Sequence, residues 1–229
     1  MEDSFGLTFQ NSADNRVVID SEFTRLSVIC KGRYANNSGL YAVTYFPFTI
    51  TSQWPPFVFI RPDSAGGQIG MTQAEVLGSS GAWTGFKVRA YDNNSIRPNG
   101  RYFAAGFGAE ILSDYGLRLR DGGRTVLFDS GTPTALFANY NSSWAYAGSG
   151  TTAQGQSIVY FAAPFTMTEN EFILINTLSM PVIRSLPQQS DLQMIWDYPN
   201  SRMLAAVIYI PGYNTTSLGI TTMTAKMVM

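Results

Sequence analysis

The stretch FGLTFQNSADNRVVIDS, Phe5 to Ser21, returns later in the chain as YGLRLRDGGRTVLFDS, Tyr115 to Ser130. Each copy opens on an aromatic residue followed by Gly-Leu, alternates into a polar turn, and closes on three apolar residues and Asp-Ser. A second pair of phrases follows in the same order. FPFTIT (Phe46 to Thr51) then FVFIRP (Phe57 to Pro62) answers APFTMT (Ala163 to Thr168) then FILINT (Phe172 to Thr177). Two weaker correspondences come after these: GFKVRAYDNN (Gly85 to Asn94) with LQMIWDYPN (Leu192 to Asn200), and GRYFAAGFGAE (Gly100 to Glu110) with SRMLAAVIYIPG (Ser201 to Gly212). A period this long is domain-sized, and too long for a solenoid repeat or a propeller blade. The expectation is a tandem of two related domains, 1–112 and 113–229, produced by internal duplication. No Gly/Ser linker separates them, which favours rigid packing.

Each opening phrase reads as a hairpin. Leu7 and Phe9, or Leu117 and Leu119, alternate inward, and Val17 and Ile19, or Val126 and Phe128, return to the core. Gly122 and Gly123 suit the tight turn of the second copy. Asp20-Ser21 and Asp129-Ser130 end the hairpins, where a carboxylate accepts backbone N–H groups. Elsewhere, short segments rich in β-branched and aromatic residues alternate with dense turn punctuation such as DSAGG, RPNG and SGTP. The fold class is all-β, two tandem β-sandwich-like domains, with strand spacing that fits a sandwich or a barrel. Few windows carry apolar residues at helical spacing, and MTQAEVLG, Met71 to Gly78, barely two turns long, is the best helical candidate.

Composition narrows the function classes. Fifteen basic residues stand against sixteen acidic ones, so no basic surface is available to neutralise a run of phosphates, and nucleic-acid binding is not expected. Arg118, Arg120 and Arg124 are the nearest approach to a basic cluster and read as a solvated strand face. The one cysteine, Cys30, sits in the apolar run LSVIC, so no intrachain disulfide forms. The opening MEDSFG lacks the apolar core of a signal peptide, and no apolar run has membrane-spanning length. Without a signal peptide, the four Asn-x-Ser/Thr sites at Asn36, Asn93, Asn141 and Asn214 read as polar turns.

The chain has no histidine. Triads built on histidine, the commonest neutral-pH base, and histidine metal sites are therefore absent. No phosphate-binding loop or nucleophile elbow is present. A glycosidase needs only two carboxylates, but Asp20 and Asp129 occupy equivalent turn positions, and Glu110, Asp114, Glu169 and Glu171 read as strand-end charges. No catalytic residue, metal site or cofactor is expected. The aromatics of loop-like segments, Trp54, Trp83, Trp144 and Tyr146, are candidates for contact with a ligand or partner, with Trp196, Tyr91, Tyr102 and Tyr140 as further rings. The plainer reading has these rings filling the core or a subunit interface.

Gly6-Leu7 through Ile19-Asp20-Ser21, Arg25-Leu26-Ser27-Val28 and Gly32-Arg33-Tyr34 resemble small tail proteins of tailed bacteriophages, which commonly begin GLQVFN, turn, and continue IDS. PPFVFIRP, WTGFKVRAY, RPNGRYFAA and YGLRL with LFDSG are similar to the same group. The resemblance covers most of the first 140 residues and weakens toward Met229. It implies a virion structural protein of the tail tip or baseplate, assembled in the bacterial host cytoplasm and acting as an adaptor through contacts with other tail or baseplate proteins. It supplies no catalytic residues. The alternative is a receptor-binding or carbohydrate-binding tail protein that meets a host surface glycan through loop aromatics. A capsid decoration protein and a polysaccharide-degrading enzyme are further classes. Sparse charge and the strand-like closing segment GITTMTAKMVM, Gly219 to Met229, point to a homo-oligomer, with a trimer favoured. Three copies of a two-domain duplicate would present six similar domains, matching the mixed threefold and sixfold symmetry that the resemblance implies.

Overall fold

The computed structural model describes residues 6–10, 16–20, 25–64, 68–90, 99–108, 114–124, 126–152, 155–178, 182–185, 188–209 and 218–228, with backbone only at 6–10, 16–20, 182–185, 188–191 and 209. The protein is all-β. Its eighteen described strands are β1 (Gly6–Gln10), β2 (Arg16–Asp20), β3 (Leu26–Tyr34), β4 (Tyr41–Ile50), β5 (Phe57–Pro62), β6 (Gln68–Ser79), β7 (Ala82–Ala90), β8 (Gly100–Phe107), β9 (Arg118–Arg120), β10 (Val126–Asp129), β11 (Thr134–Asn141), β12 (Ala145–Thr151), β13 (Ser157–Thr166), β14 (Phe172–Leu174), β15 (Val182–Ser185), β16 (Gln188–Asp197), β17 (Arg202–Tyr209) and β18 (Thr222–Val228). One short 3-10 turn, Tyr198–Asn200, joins β16 to β17.

Two small hairpins, β1-β2 and β9-β10, accompany two larger sheets. One is a closed barrel of order β11-β18-β14-β5-β8-β3. The other runs β12-β13-β17-β16-β6-β7-β4, with β15 paired to β16 off this path. Both orders are palindromic. The matched phrases equate β4 with β13 and β5 with β14, and chain order then equates β3 with β11, β6 with β16, β7 with β17 and β8 with β18. With those exchanges the barrel reads the same from either end, and so does the large sheet once β12 is set aside. The centre of each is an antiparallel pairing between the halves. In the barrel, Ile60 lies opposite Ile173 and Phe59 opposite Leu174. In the sheet, Met71 lies opposite Met194 and Ile69 opposite Trp196.

Strands of the two sequence halves therefore share sheets. The compact units are not 1–112 and 113–229 but 1–29 with 105–136 and 227–229, and 30–104 with 137–226. The weaker sequence correspondences also change. Leu192 to Asp197 of LQMIWDY lie in β16, the counterpart of β6 rather than of β7. SRMLAAVIYI contains β17, the counterpart of β7 rather than of β8. Alternating apolar residues in any two strands produce such local matches, and hydrogen-bonded order separates them.

MTQAEVLG is not helical. It lies in β6, paired on one side to β16 and on the other to β7. Its helix-like spacing comes from an irregularity between Thr72 and Glu75, where Gln73 takes φ 47° and puts Met71 and Ala74 both in the core. A bulge residue in a strand shifts the period-2 pattern and so imitates a longer one. The closing segment is not an exposed edge either, because β18 lies between β11 and β14 inside the barrel path.

The core is apolar on both faces of its central strands. Residues Met203 to Ile208 of β17 are all buried, as are Val58, Phe59 and Ile60 of β5. Such runs read as continuous apolar segments because neither face meets water. Within the barrel strands, Phe59 stacks on Phe103 at 4.8 Å between ring centroids, and Phe103 meets Phe172 edge-on at 5.1 Å. Tyr34, Phe46, Phe86 and Tyr102 form a second aromatic group, with Phe86 edge-on to Tyr102 at 5.0 Å.

Phe59 sits at the centre of the barrel palindrome, fully buried. Phe59→Ala is expected to cost about 3–5 kcal/mol of unfolding free energy, through lost burial and the cavity left behind. Phe48→Ala, at an exposed site on β4, should stay within about 0.5 kcal/mol. Urea denaturation of both variants checks this contrast.

Candidate functional site

The repeated Asp-Ser motif is described fully only in its second copy. Asp129 is buried; its Oδ2 accepts from Arg118 Nε at 2.5 Å, and its Oδ1 accepts the Gly131 N–H at 2.8 Å. Ser130 Oγ accepts the Leu117 N–H at 3.0 Å, while the Ser130 N–H donates to the Leu117 carbonyl at 2.9 Å. Gly116 has φ 137°, and a Cβ there would run into Ser130 Oγ. Glycine and serine of the phrase are thus steric partners, which explains why Gly-Leu and Asp-Ser occur together. In the first copy Asp20 pairs through its backbone with Gly6; its side chain and Ser21 lie outside the described residues. The register of the two hairpins differs, because Asp129 lies opposite Arg118, two residues beyond Gly116.

The inward face of the second hairpin is the reverse of the expected one. Leu127 and Asp129 are buried, Val126 and Phe128 are half-buried, and Leu117 is exposed. An irregularity between Val126 and Phe128 accompanies this change. The arginines expected on a solvated face also have specific partners. Arg118 holds Asp129, and Arg120 Nη1 donates to the Arg124 carbonyl at 2.7 Å.

The candidate aromatics fall in two places. Trp54 is 75% exposed in the turn before β5. Trp83 on β7 is half-buried, and its indole N–H donates to the Ser52 carbonyl of the same turn at 2.9 Å. Trp144 is buried, with its indole N–H on the Ile220 carbonyl at 2.9 Å, so its ring has no free face for stacking. Tyr146, at the start of β12, is 57% exposed. Trp196 and Tyr102 are core residues, Tyr140 is exposed, and Tyr91 lies outside the described residues.

The large sheet ends on two unlike edges. At β4, Val43 presents its backbone groups outward, and the Asn37 side chain takes both: the Val43 N–H donates to Oδ1 at 2.9 Å and Nδ2 donates to the Val43 carbonyl at 2.7 Å. Tyr41 is engaged by Ser38 and by Asn36 Nδ2. Pro47 then removes a donor further along the strand. Asn36 and Asn37, two of the polar-turn residues of the sequence, thereby stand in for a neighbouring strand. On the other side, β12 covers the counterpart β13, and among the described residues nothing pairs the outer side of β12. No charged residue occurs between Asp129 and Glu169, so this edge lacks the charges that usually guard one.

A cavity of about 520 Å³ opens at one mouth of the barrel, lined by Arg33, Arg61, Pro62, Asp63, Ser64, Arg101, Glu169 and Tyr198. The topology gathers these distant positions. The ends of β3 and β5 and the start of β8 are neighbours in the barrel, and the turn after β16 brings Tyr198. Gly100 permits the approach, since a Cβ there would overlap the Arg61 carbonyl. Arg61 is buried; its Nη1 donates to the carbonyls of Thr168 at 2.7 Å and Glu171 at 2.9 Å, and its guanidinium lies 5.6 Å from the Tyr198 ring centroid. Arg33 pairs with Asp63, and the Tyr198 hydroxyl donates to the Pro62 carbonyl. Burial pushes the Tyr198 phenol up, against the opposing pull of Arg61 and Arg101. It is therefore a neutral hydrogen-bonding group rather than a ready nucleophile.

Two acids that the sequence left as ordinary charges have distinct fates. Glu169 lines this cavity. Glu171 is buried; its carboxylate accepts from Asn139 Nδ2 and the Thr168 N–H at 3.3 Å each and faces Lys226 at 3.6 Å. Among the described residues no three metal-ligating side chains cluster, and no helix is long and apolar enough to cross a membrane. Comparison with protein-family models, with curated proteins and with solved structures gives no match.

The Arg118 hydrogen bond holds the Asp129 carboxyl below its ordinary value, aided by the Gly131 N–H and opposed by burial. A depressed native pKa stabilises above the unfolded carboxylate value of about 3.9 and loses that contribution as pH falls through the native value. Asp129→Asn should therefore lower Tm near neutral pH, with the gap to wild type closing in acid. Calorimetry over a pH series checks this; a gap independent of pH would remove the charge from the explanation.

Proposed function

We propose that this chain is an internally duplicated virion structural protein of a tailed bacteriophage, placed at the tail tip or baseplate and working by protein–protein contact rather than catalysis. The sequence resemblance to small tail proteins supports the setting. The observation that carries the mode of action is the uncharged β12 edge, a run of mostly exposed residues including Tyr146 that no described residue pairs on its outer side. Such an edge is a template for another strand. Exposed Tyr45, Phe48, Trp54, Leu136, Phe137 and Tyr140 add apolar contact area on a lightly charged chain. In this reading the chain self-associates, with a trimer favoured because three duplicated chains present six similar parts to a sixfold neighbour.

Exposed Trp54 and Tyr146 favour one second reading, a glycan-binding tail protein that stacks sugar on these rings. A glycan array with wild type and Trp54→Ala decides between them: binding lost in the variant supports the glycan reading, and no binding leaves the assembly reading.

Light scattering of the purified chain should give an oligomer. Ser149→Lys places a charge on the exposed middle of β12 and should shift the population toward monomer with Tm little changed. A wild-type chain that stays monomeric at micromolar concentration, and sits as an isolated copy in the particle, would defeat this reading.

A further inference from the structure

The cavity at the barrel mouth has a charge balance that its own residues do not complete. Three guanidiniums, of Arg33, Arg61 and Arg101, face two carboxylates, of Asp63 and Glu169. Arg33 is neutralised by Asp63. Arg61 is more than nine-tenths buried, yet among the described residues its acceptors are the carbonyls of Thr168 and Glu171, and no carboxylate lies within ion-pair distance of it or of Arg101. A buried cation without a counter-ion is costly, and a guanidinium is built to grip a planar or tetrahedral oxyanion through two parallel bonds. Arg101 is exposed and lines the same cavity, with its guanidinium 5.7 Å from the Phe172 ring centroid.

The remaining lining is not purely anion-seeking. Glu169 makes no ion pair among the described residues. Carboxylates that would repel an anion placed against them are acceptors for hydroxyl groups further along the same ligand. The volume fits a small molecule of monosaccharide size rather than a bare ion.

We propose that this cavity is a binding site for a small hydroxylated acid, whose carboxylate or phosphate group lies between Arg61 and Arg101 and whose hydroxyls meet Glu169 and Asp63. This inference is independent of the assembly reading: the site belongs to one chain and is assayed in whatever oligomer the purified protein forms.

The test is calorimetric titration with glucuronate, glucose 6-phosphate and glucose. One anionic sugar should bind saturably with one site per chain. Glucose should bind at least about tenfold more weakly, since it lacks the oxyanion that pairs with the guanidiniums. Tighter glucuronate identifies a carboxylate as the natural group; tighter glucose 6-phosphate identifies a phosphate ester. Arg101→Gln, at an exposed position, should weaken the preferred anion about tenfold with Tm unchanged, and Glu169→Gln should change the affinity of the sugar acid more than that of inorganic phosphate. The proposal is overturned if neither anionic sugar saturates, if glucose binds as well as they do, or if a folded Arg101→Gln variant binds undiminished.

Discussion

The structure turns on strand pairings that join the sequence halves: β5 with β14 and β3 with β11 in the barrel, and β6 with β16 in the large sheet. The β6-β16 pairing is the middle of its sheet, and the two barrel pairings lie opposite each other in the closed path. The constraint is antiparallel geometry itself. Two copies of one strand can pair about a twofold axis with each residue meeting its counterpart's partner, and Phe59 opposite Leu174 marks that centre in the barrel. Apolar residues are required on both faces there, because barrel and sheet neighbours exclude water from both. This is why FVFIRP and FILINT keep their apolar pattern while the surrounding loops diverge.

That constraint also explains which parts of the fold were legible in the sequence. Hairpins and the Pro-Phe-Thr phrases repeat because they carry local steric demands, such as Gly116 beneath Ser130. Strand exchange between halves leaves no local trace, since a strand's pattern records whether its faces are buried and not which strand buries them. MTQAEVLG misleads for a related reason: the irregularity at Gln73 replaces strict alternation. The closing segment has the composition of an edge but takes an interior place in the barrel path, because β11 and β14 lie on its two sides.

The cavity shows the opposite limit. Arg33, Arg61 and Arg101 are scattered in sequence, whereas the visible cluster of Arg118, Arg120 and Arg124 is a local hairpin device. Yet one signal was present in the matched phrases. Where the first half reads Ile-Arg-Pro, the second reads Ile-Asn-Thr, so Arg61 corresponds to Asn176. Asn176 spends its side chain on the backbone, accepting the Val58 N–H and donating to the Pro56 carbonyl, each at 2.9 Å. An amide can close a strand end quietly; a buried guanidinium cannot do so without further acceptors. Departures between otherwise matched phrases are therefore the places to look for acquired chemistry.

The same logic applies to the sheet edges. β13 is covered by β12, and the corresponding place beside β4 holds, among the described residues, the short turn at Asn36 to Gly39. There the Asn37 amide reproduces, with one donor and one acceptor, what a neighbouring strand offers at a single residue. That satisfies Val43 but cannot propagate, and Pro47 stops any strand from continuing along the edge. Adding β12 on the other side moves the open edge outward by one strand and replaces a guarded edge with an unguarded one. An extra strand that only protected the sheet would be expected to carry charge or proline on its outer side, as edge strands commonly do. β12 carries neither, and at its Ala147 to Gly150 centre the side chains are small enough for a second backbone to approach. The departure from symmetry thus leaves one end of the sheet closed and the other, among the described residues, unpaired, and in the assembly reading proposed above that is the end a partner strand would meet.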